Sequence, residues 1–245
     1  MHGCGNDFVL VEGPQDLAPG RVRALCDRRT GIGADGIIVI TPSHGVRRAV
    51  VVHNADGSVA DACGNGYRCV ARYLLDRSGA ASCEMETPGG IVSARRDPAG
   101  IAVDLALPEL GEALTLEHGG AALPARRVRV GNPNVVVFVA DVAGLDLPAL
   151  ARTARDEAGP ANVEAVVVRT PIELELRVDE RGAGETLACG TGSCAAVAAA
   201  LADGRLQQDG PIGVSLPGGR LTVTPMRDRY VLAGPAEYVF EGSFA

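Results

Sequence analysis

Apolar residues recur along this chain in short bursts, each closed by glycine, asparagine or aspartate. That pattern predicts strands rather than long helices. In the first half, strands are expected at 8–12, 36–40, 49–53, 83–87, 91–95 and 101–105. A helix is expected at 21–29 with Leu25 and Cys26 inward, and another at 64–76, stopped by Ser78-Gly79. The second half repeats the scheme, with strands at 128–130, 135–140 and 163–169 and a helix near 147–157. Residues 172–178 alternate, with Ile172, Leu174, Leu176 and Val178 on one face and Glu173, Glu175 and Arg177 on the other. Residues 191–202 are so rich in alanine and valine that the helix they predict is buried on most sides. The stretch 108–120 reads as the passage between the halves, and 236–244 is expected to return to pair with the first residues.

The halves also share chemistry. Ala62-Cys63-Gly64-Asn65-Gly66 echoes Ala188-Cys189-Gly190-Thr191-Gly192, and Gly5-Asn6 echoes Gly131-Asn132, at one offset of 126 residues. Asn54 falls where Glu180 falls. A later pair, Pro88-Gly89-Gly90 and Pro217-Gly218-Gly219, lies at 129, so the register drifts little. The chain therefore reads as a duplication: a first lobe over 1–110 carrying Cys63, joined by 235–245, and a second over 111–234 carrying Cys189. In each, short strands accompany one apolar helix that begins after a cysteine, and a sheet curled around that helix is the simplest packing.

Composition narrows the possibilities. With 245 residues, 47% hydrophobic and 22% charged, the length suits two domains with their own cores. Neither a membrane-spanning apolar run nor a charged leader with an apolar segment is seen, which leads to the expectation of a cytoplasmic protein. Seven cysteines favour reduced thiols over a disulfide framework. A net charge of −7 without basic clusters argues against nucleic acid. All 23 basic residues are arginine. A pyridoxal-phosphate enzyme needs a lysine for its Schiff base, and a P-loop enzyme needs the lysine of its phosphate loop, so both classes are excluded.

A thiol just before a helix faces unpaired backbone N–H groups and the positive end of the helix dipole, which favour thiolate. The same N–H groups bind carboxylates, and the flanking glycines leave them accessible. Two such starts suit removal of an α proton by one cysteine and delivery of a proton by the other, with the carbanion stabilised by backbone donors. Metal binding is the poorer reading, since no CxxC is present and His2, His44, His53 and His118 are scattered. The GxGxxG match at 31–36 follows a helix and precedes a strand, the reverse of a dinucleotide site, and reads as a turn.

These residues, with Met1-His2-Gly3-Cys4-Gly5-Asn6-Asp7-Phe8, Asn54-Ala55-Asp56-Gly57-Ser58, Gly131-Asn132-Pro133 and Glu180-Arg181-Gly182-Ala183-Gly184-Glu185-Thr186, resemble the diaminopimelate epimerase family in order and over nearly the full length. The resemblance implies an α+β fold of two pseudo-symmetric domains, each a curled, mostly antiparallel sheet around a central helix. It implies cofactor-free interconversion of LL- and meso-diaminopimelate in lysine and cell-wall biosynthesis, or epimerisation of another polar amino acid as a same-family alternative. Cys63 and Cys189 would be the acid/base pair, with the backbone of Gly64, Asn65, Gly190 and Thr191 on the reacting carboxylate. Glu180 and Asn6 would meet the reacting amino group, and Arg181 with Asn54, Asn132 and Asn162 would hold the distal carboxylate. The expected partners are a small amino-acid substrate and a second copy in a homodimer, with no membrane, nucleic acid or metal. One departure is Asn134, where the family usually carries a histidine; asparagine cannot take up a proton at neutral pH.

Overall fold

The computed structural model describes residues 1–13, 17–45, 47–60, 62–207 and 210–244. The chain divides into two compact units, Met1–Val103 with Gly234–Ala245, and Asp104–Ala233.

In the first unit, β1 (His2–Gly3) turns into β2 (Asn6–Glu12) through Cys4 and Gly5, whose φ angles of 55° and 82° make a two-residue hairpin turn. Next come α1 (Pro19–Cys26), β3 (Gly36–Pro42), β4 (Arg48–Asn54), α2 (Gly64–Ser78), β5 (Ser82–Thr87), β6 (Gly90–Asp97) and β7 (Gly100–Leu105). The strands lie side by side in chain order; β2 runs parallel to β3 and β4 to β5, and the other pairs are antiparallel. The sheet curls round α2, which packs on β1, β2, β3, β5 and β6. The helix expected at 21–29 ends at Cys26, because Asp27 leaves the helix and its carboxylate accepts from the backbone of Arg29 and Thr30.

Strand β3 shows why an unbroken apolar run is a strand here. Ile37 and Val39 pack with Leu17, Val22 and Cys26 of the α1 side, while Ile38 lies against Gly66 of α2, so both faces are covered. Arg68, wholly buried on α2, donates to the carbonyls of Gly64 at 3.3 Å and Pro235 at 3.4 Å. It thereby ties the chain's last segment to the first unit, where His2 and Glu237 form a single antiparallel bridge.

The second unit contains β8 (Glu109–His118), β9 (Ala121–Val130), β10 (Asn132–Phe138), α3 (Leu147–Ala158), β11 (Asn162–Thr170), β12 (Glu173–Glu180), β13 (Gly184–Thr186), α4 (Gly190–Ala202), β14 (Ile212–Leu216), β15 (Gly219–Pro225) and β16 (Tyr230–Gly234). Its strand order is β16-β15-β14-β12-β11-β10-β9-β8, with β13 paired to β12. Here too two pairs are parallel, β10 with β11 and β12 with β14. Strands β2, β3 and β4 and helix α2 find their counterparts in β10, β11, β12 and α4 at the 126-residue offset seen in the sequence.

Two readings of the sequence are corrected. The stretch 108–120 is no passage between halves but mainly strand β8, hairpinned onto β9. Only Leu116 of β8 is fully buried, so its pattern is that of an exposed edge and carries little apolar signal. Ile172 does not join the inward face of Leu174, Leu176 and Val178; it sits in the turn before β12 and is exposed.

Candidate functional site

Each cysteine is the capping residue of its helix. Cys63 precedes α2 and its Sγ accepts from the N–H of Gly66 at 3.4 Å; Cys189 precedes α4 and its Sγ accepts from the N–H of Gly192 at 3.4 Å. In both, the sulfur stands where an N-cap oxygen normally stands and satisfies one of the helix's orphan donors. The third helical residue is glycine in each case, packed closely against a side chain of the neighbouring strand. A Cβ on Gly66 would lie 2.8 Å from Ile38 Cδ1, and one on Gly192 would lie 2.6 Å from Glu164 Oε1.

In the first unit the helix start is linked to the first strand. Asn65 Nδ2 donates to Asn6 Oδ1 at 3.2 Å, and Asn6 Nδ2 donates to Asp35 Oδ2 at 2.8 Å. Asp35 also accepts from the Asp7 N–H and from Arg28, whose guanidinium bonds both carboxylate oxygens of Asp7. The glycine-rich segment at 31–36 is thus a turn, as the spacing predicts, and its aspartate fixes the amide of Asn6. Sequence reasoning missed that role, since Asp35 signals itself only by proximity in the fold. Asn54 stands outside this network: its amide donates to Ser58 Oγ at 2.9 Å within the 54–58 turn.

In the second unit, strand parity assembles the site. Residues 135, 137, 163, 165 and 167 belong to the core shared with α3, through Leu147, Leu150, Ala151 and Ala154. The alternate positions of β10 and β11 therefore face α4, and these include Asn132, Asn134, Asn162 and Glu164. Registers Asn134↔Asn162 and Val136↔Glu164 bring them level. Asn134 donates to the Asn132 carbonyl at 2.9 Å, Asn162 donates to Asn134 Oδ1 at 3.5 Å, and Asn162 Oδ1 accepts from the Arg181 N–H at 2.9 Å. Asn132 Oδ1 is buried and has no partner among the described residues. Glu180 ends β12 and accepts from Thr186 Oγ1 at 2.6 Å, while Arg181 begins the following turn with its side chain exposed. Thr191 Oγ1 lies 3.4 Å from Cys189 Sγ.

The two thiols differ in setting. Cys63 is half-buried, whereas Cys189 is buried. Burial pushes the Cys189 thiol well above its ordinary range, and the carboxyls of Glu180 and Glu164 add to the shift; contacts from Thr191 and the Gly192 N–H oppose it without winning. Burial thus works against the helix start at Cys189 and favours its thiol form.

Two units, each a curled sheet on a helix capped by cysteine, make an α+β fold that solved racemase and epimerase structures share. The chain superposes on a hydroxyproline epimerase from Agrobacterium vitis with a TM-score of 0.70 at 14% identity, covering 95% of this chain and 86% of that one. A Bacillus anthracis phenazine biosynthesis protein of the PhzF family gives 0.71 at 18% identity, over 96% and 91%. At the level of sequence, the family pattern described as diaminopimelate epimerase matches residues 1–107 and 127–239. Relatives named diaminopimelate epimerase from Moorella thermoacetica and Desulfitobacterium hafniense are 39% and 37% identical, covering 100% and 99% of this chain and 97% and 95% of theirs. The chain belongs to the diaminopimelate epimerase family and is an amino-acid epimerase, an isomerase.

Proposed function

We propose that the protein interconverts LL- and meso-diaminopimelate by a two-base route, with Cys63 and Cys189 as the acid/base pair. The observation that carries this reading is the matched capping of α2 and α4, each sulfur on the third-residue N–H at 3.4 Å, in a chain of this family. Backbone N–H groups of the helix starts take the reacting carboxylate, and electrons from the broken C–H bond are stabilised by that preorganised donor set. One thiolate takes the α proton, and the other cysteine, as a thiol, returns a proton to the opposite face. In the direction where Cys189 donates, its raised pKa is an asset. In the reverse direction it must ionise, and the substrate ammonium beside Glu180 offsets the charge that holds the thiol up.

Arg181 with Asn54, Asn132 and Asn162 holds the distal carboxylate in this reading; the hydrogen bond from the Arg181 N–H to Asn162 supports it by placing the arginine's backbone on the asparagine network. No helix among the described residues is long and apolar enough to cross a membrane, and the reading includes a cytoplasmic location. It also includes a homodimer, supported by the exposed apolar Val239 and Phe240 at 59% and 64%; light scattering should return twice the chain mass.

Incubation with LL-diaminopimelate in deuterated water tests the chemistry. Deuterium should enter the α position, and Cys63→Ser or Cys189→Ser should each lower turnover by ~10²- to 10⁴-fold, the usual worth of a positioned acid or base, while binding survives. Full turnover in both single variants would overturn the assignment. Exchange into another polar amino acid and none into diaminopimelate would favour the same-family alternative.

A further inference from the structure

The repeat offers an internal control on the Cys189 half of the site. At the 126-residue offset, Ile38 of β3 corresponds to Glu164 of β11, and each packs under the third residue of its capped helix. The first unit fills that place with a hydrocarbon; the second fills it with a carboxylic acid. Packing does not require the acid, since isoleucine serves the same geometry. The acid is also costly: Glu164 is 0% exposed, and its carboxyl oxygens have no hydrogen-bond partner from any other described residue. A buried, unsatisfied polar group retained where its counterpart is apolar calls for a role.

We infer that Glu164 is a positioning residue for the reaction proposed above, a carboxyl set beneath the first turn of α4 that governs which charges this helix start accepts. As the neutral acid it leaves the N–H groups of Gly190 and Thr191 open to a substrate carboxylate, while that of Gly192 stays on Cys189 Sγ. Once ionised it opposes both that carboxylate and a thiolate at Cys189. The neighbouring charges are Glu180 on β12, Cys189 at the head of α4, and Arg155 on α3, which is engaged with Asp179 of β12 at 2.6 Å. Burial, reinforced by Glu180, pushes the Glu164 carboxyl well above the usual carboxylate range; its own backbone N–H and Arg155 oppose this without winning. The neutral acid is the form that burial favours. The inference rests on the two-cysteine reading, and adds a titrating element on the second unit that Asn134 cannot supply.

Glu164→Gln keeps the shape and removes the charge; Glu164→Ile copies the solution of the first unit and guards against a glutamine that folds poorly. For the wild-type protein, KM for LL-diaminopimelate should climb in alkaline solution, by up to about tenfold per pH unit once the carboxyl ionises. In both variants that climb should vanish. Superimposable KM–pH curves for all three proteins would overturn the proposal, because a merely structural residue changes activity equally at every pH. Infrared spectroscopy provides a reading that needs no substrate. The wild-type protein should show the carbonyl stretch of a buried protonated carboxyl at neutral pH, and Glu164→Ile should lack it. Absence of the band from the wild type overturns the inference even if no epimerase activity is found; deuterium exchange without any effect at Glu164 overturns it while leaving the two-cysteine reading intact.

Discussion

At the residue scale, the proposed site rests on small polar groups held by others. Asn6 can present one amide orientation because Asn65 donates to its oxygen and Asp35 accepts from its nitrogen. Removing Asp35 frees that amide to rotate, and a hydrogen bond to a charged acceptor is worth about 1.5–3 kcal/mol. Asp35→Ala is therefore expected to lower kcat/KM by roughly tenfold or more in a deuterium-exchange assay, with little change in unfolding midpoint, since Asp35 is partly exposed and its ion pair with Arg28 lies at the surface. Asn134 illustrates the complementary case. It is 1% exposed and its amide is committed to the Asn132 carbonyl, so it fixes the asparagine network and takes no part in moving protons.

At the scale of elements, α3 is the brace of the second unit. Asp146 caps it by accepting from the Ala149 N–H at 3.0 Å, Leu147 and Leu150 are fully buried, and Arg155 reaches Asp179 and the Ala161 carbonyl. The pair is asymmetric, with Arg155 at 28% exposure and Asp179 at 6%. Truncation of the arginine leaves a buried carboxylate uncompensated, which costs about 3–5 kcal/mol. Arg155→Ala should accordingly shift the denaturant midpoint far more than Asp146→Ala, whose lost cap is worth about 1 kcal/mol. Equal shifts would show that the Asp179 carboxylate is better solvated than its burial implies. Since α3 covers one face of β11 while α4 covers the other, loosening it should also impair the site on Asn162 and Glu164.

For the whole molecule, two sets of carboxyls act on stability with opposite sign. Arg72 and Arg96 hold Asp76 below its ordinary value, and Arg177 does the same for Glu185. Such groups favour the folded state above their unfolded pKa of about 4, and that contribution is lost as pH falls below it. Glu164 is raised, so the folded state holds its proton more tightly than the unfolded chain; its contribution is complete below about pH 4.3 and is lost as pH rises toward the folded value. Thermal unfolding should thus show greatest stability in mildly acidic solution. The decline on the alkaline side should flatten in Glu164→Gln, while the acid-side decline stays as in wild type; an unchanged alkaline slope would contradict a raised Glu164 pKa in the folded state.

Much of this was written in the linear chain. Period-two bursts marked the strands, the offset of 126 marked the repeat, and a cysteine followed by small residues marked each capped helix start, because these are local rules of backbone geometry and donor satisfaction. The absence of lysine excludes whole chemistries on composition alone. Strand β8 was not legible, since an exposed edge leaves little apolar pattern, nor was the turn at Ile172. What the tertiary structure alone decided is electrostatic and pairwise: that Asp35 grips Asn6, that Asn134 spends its amide on a backbone carbonyl, and that Glu164 lies buried under Gly192 while Ile38 lies under Gly66. The physical reason is that a pKa depends on which groups the fold removes from water and which charges it sets beside them, and residues as far apart along the chain as Glu164 and Cys189 carry no sign of that neighbourhood.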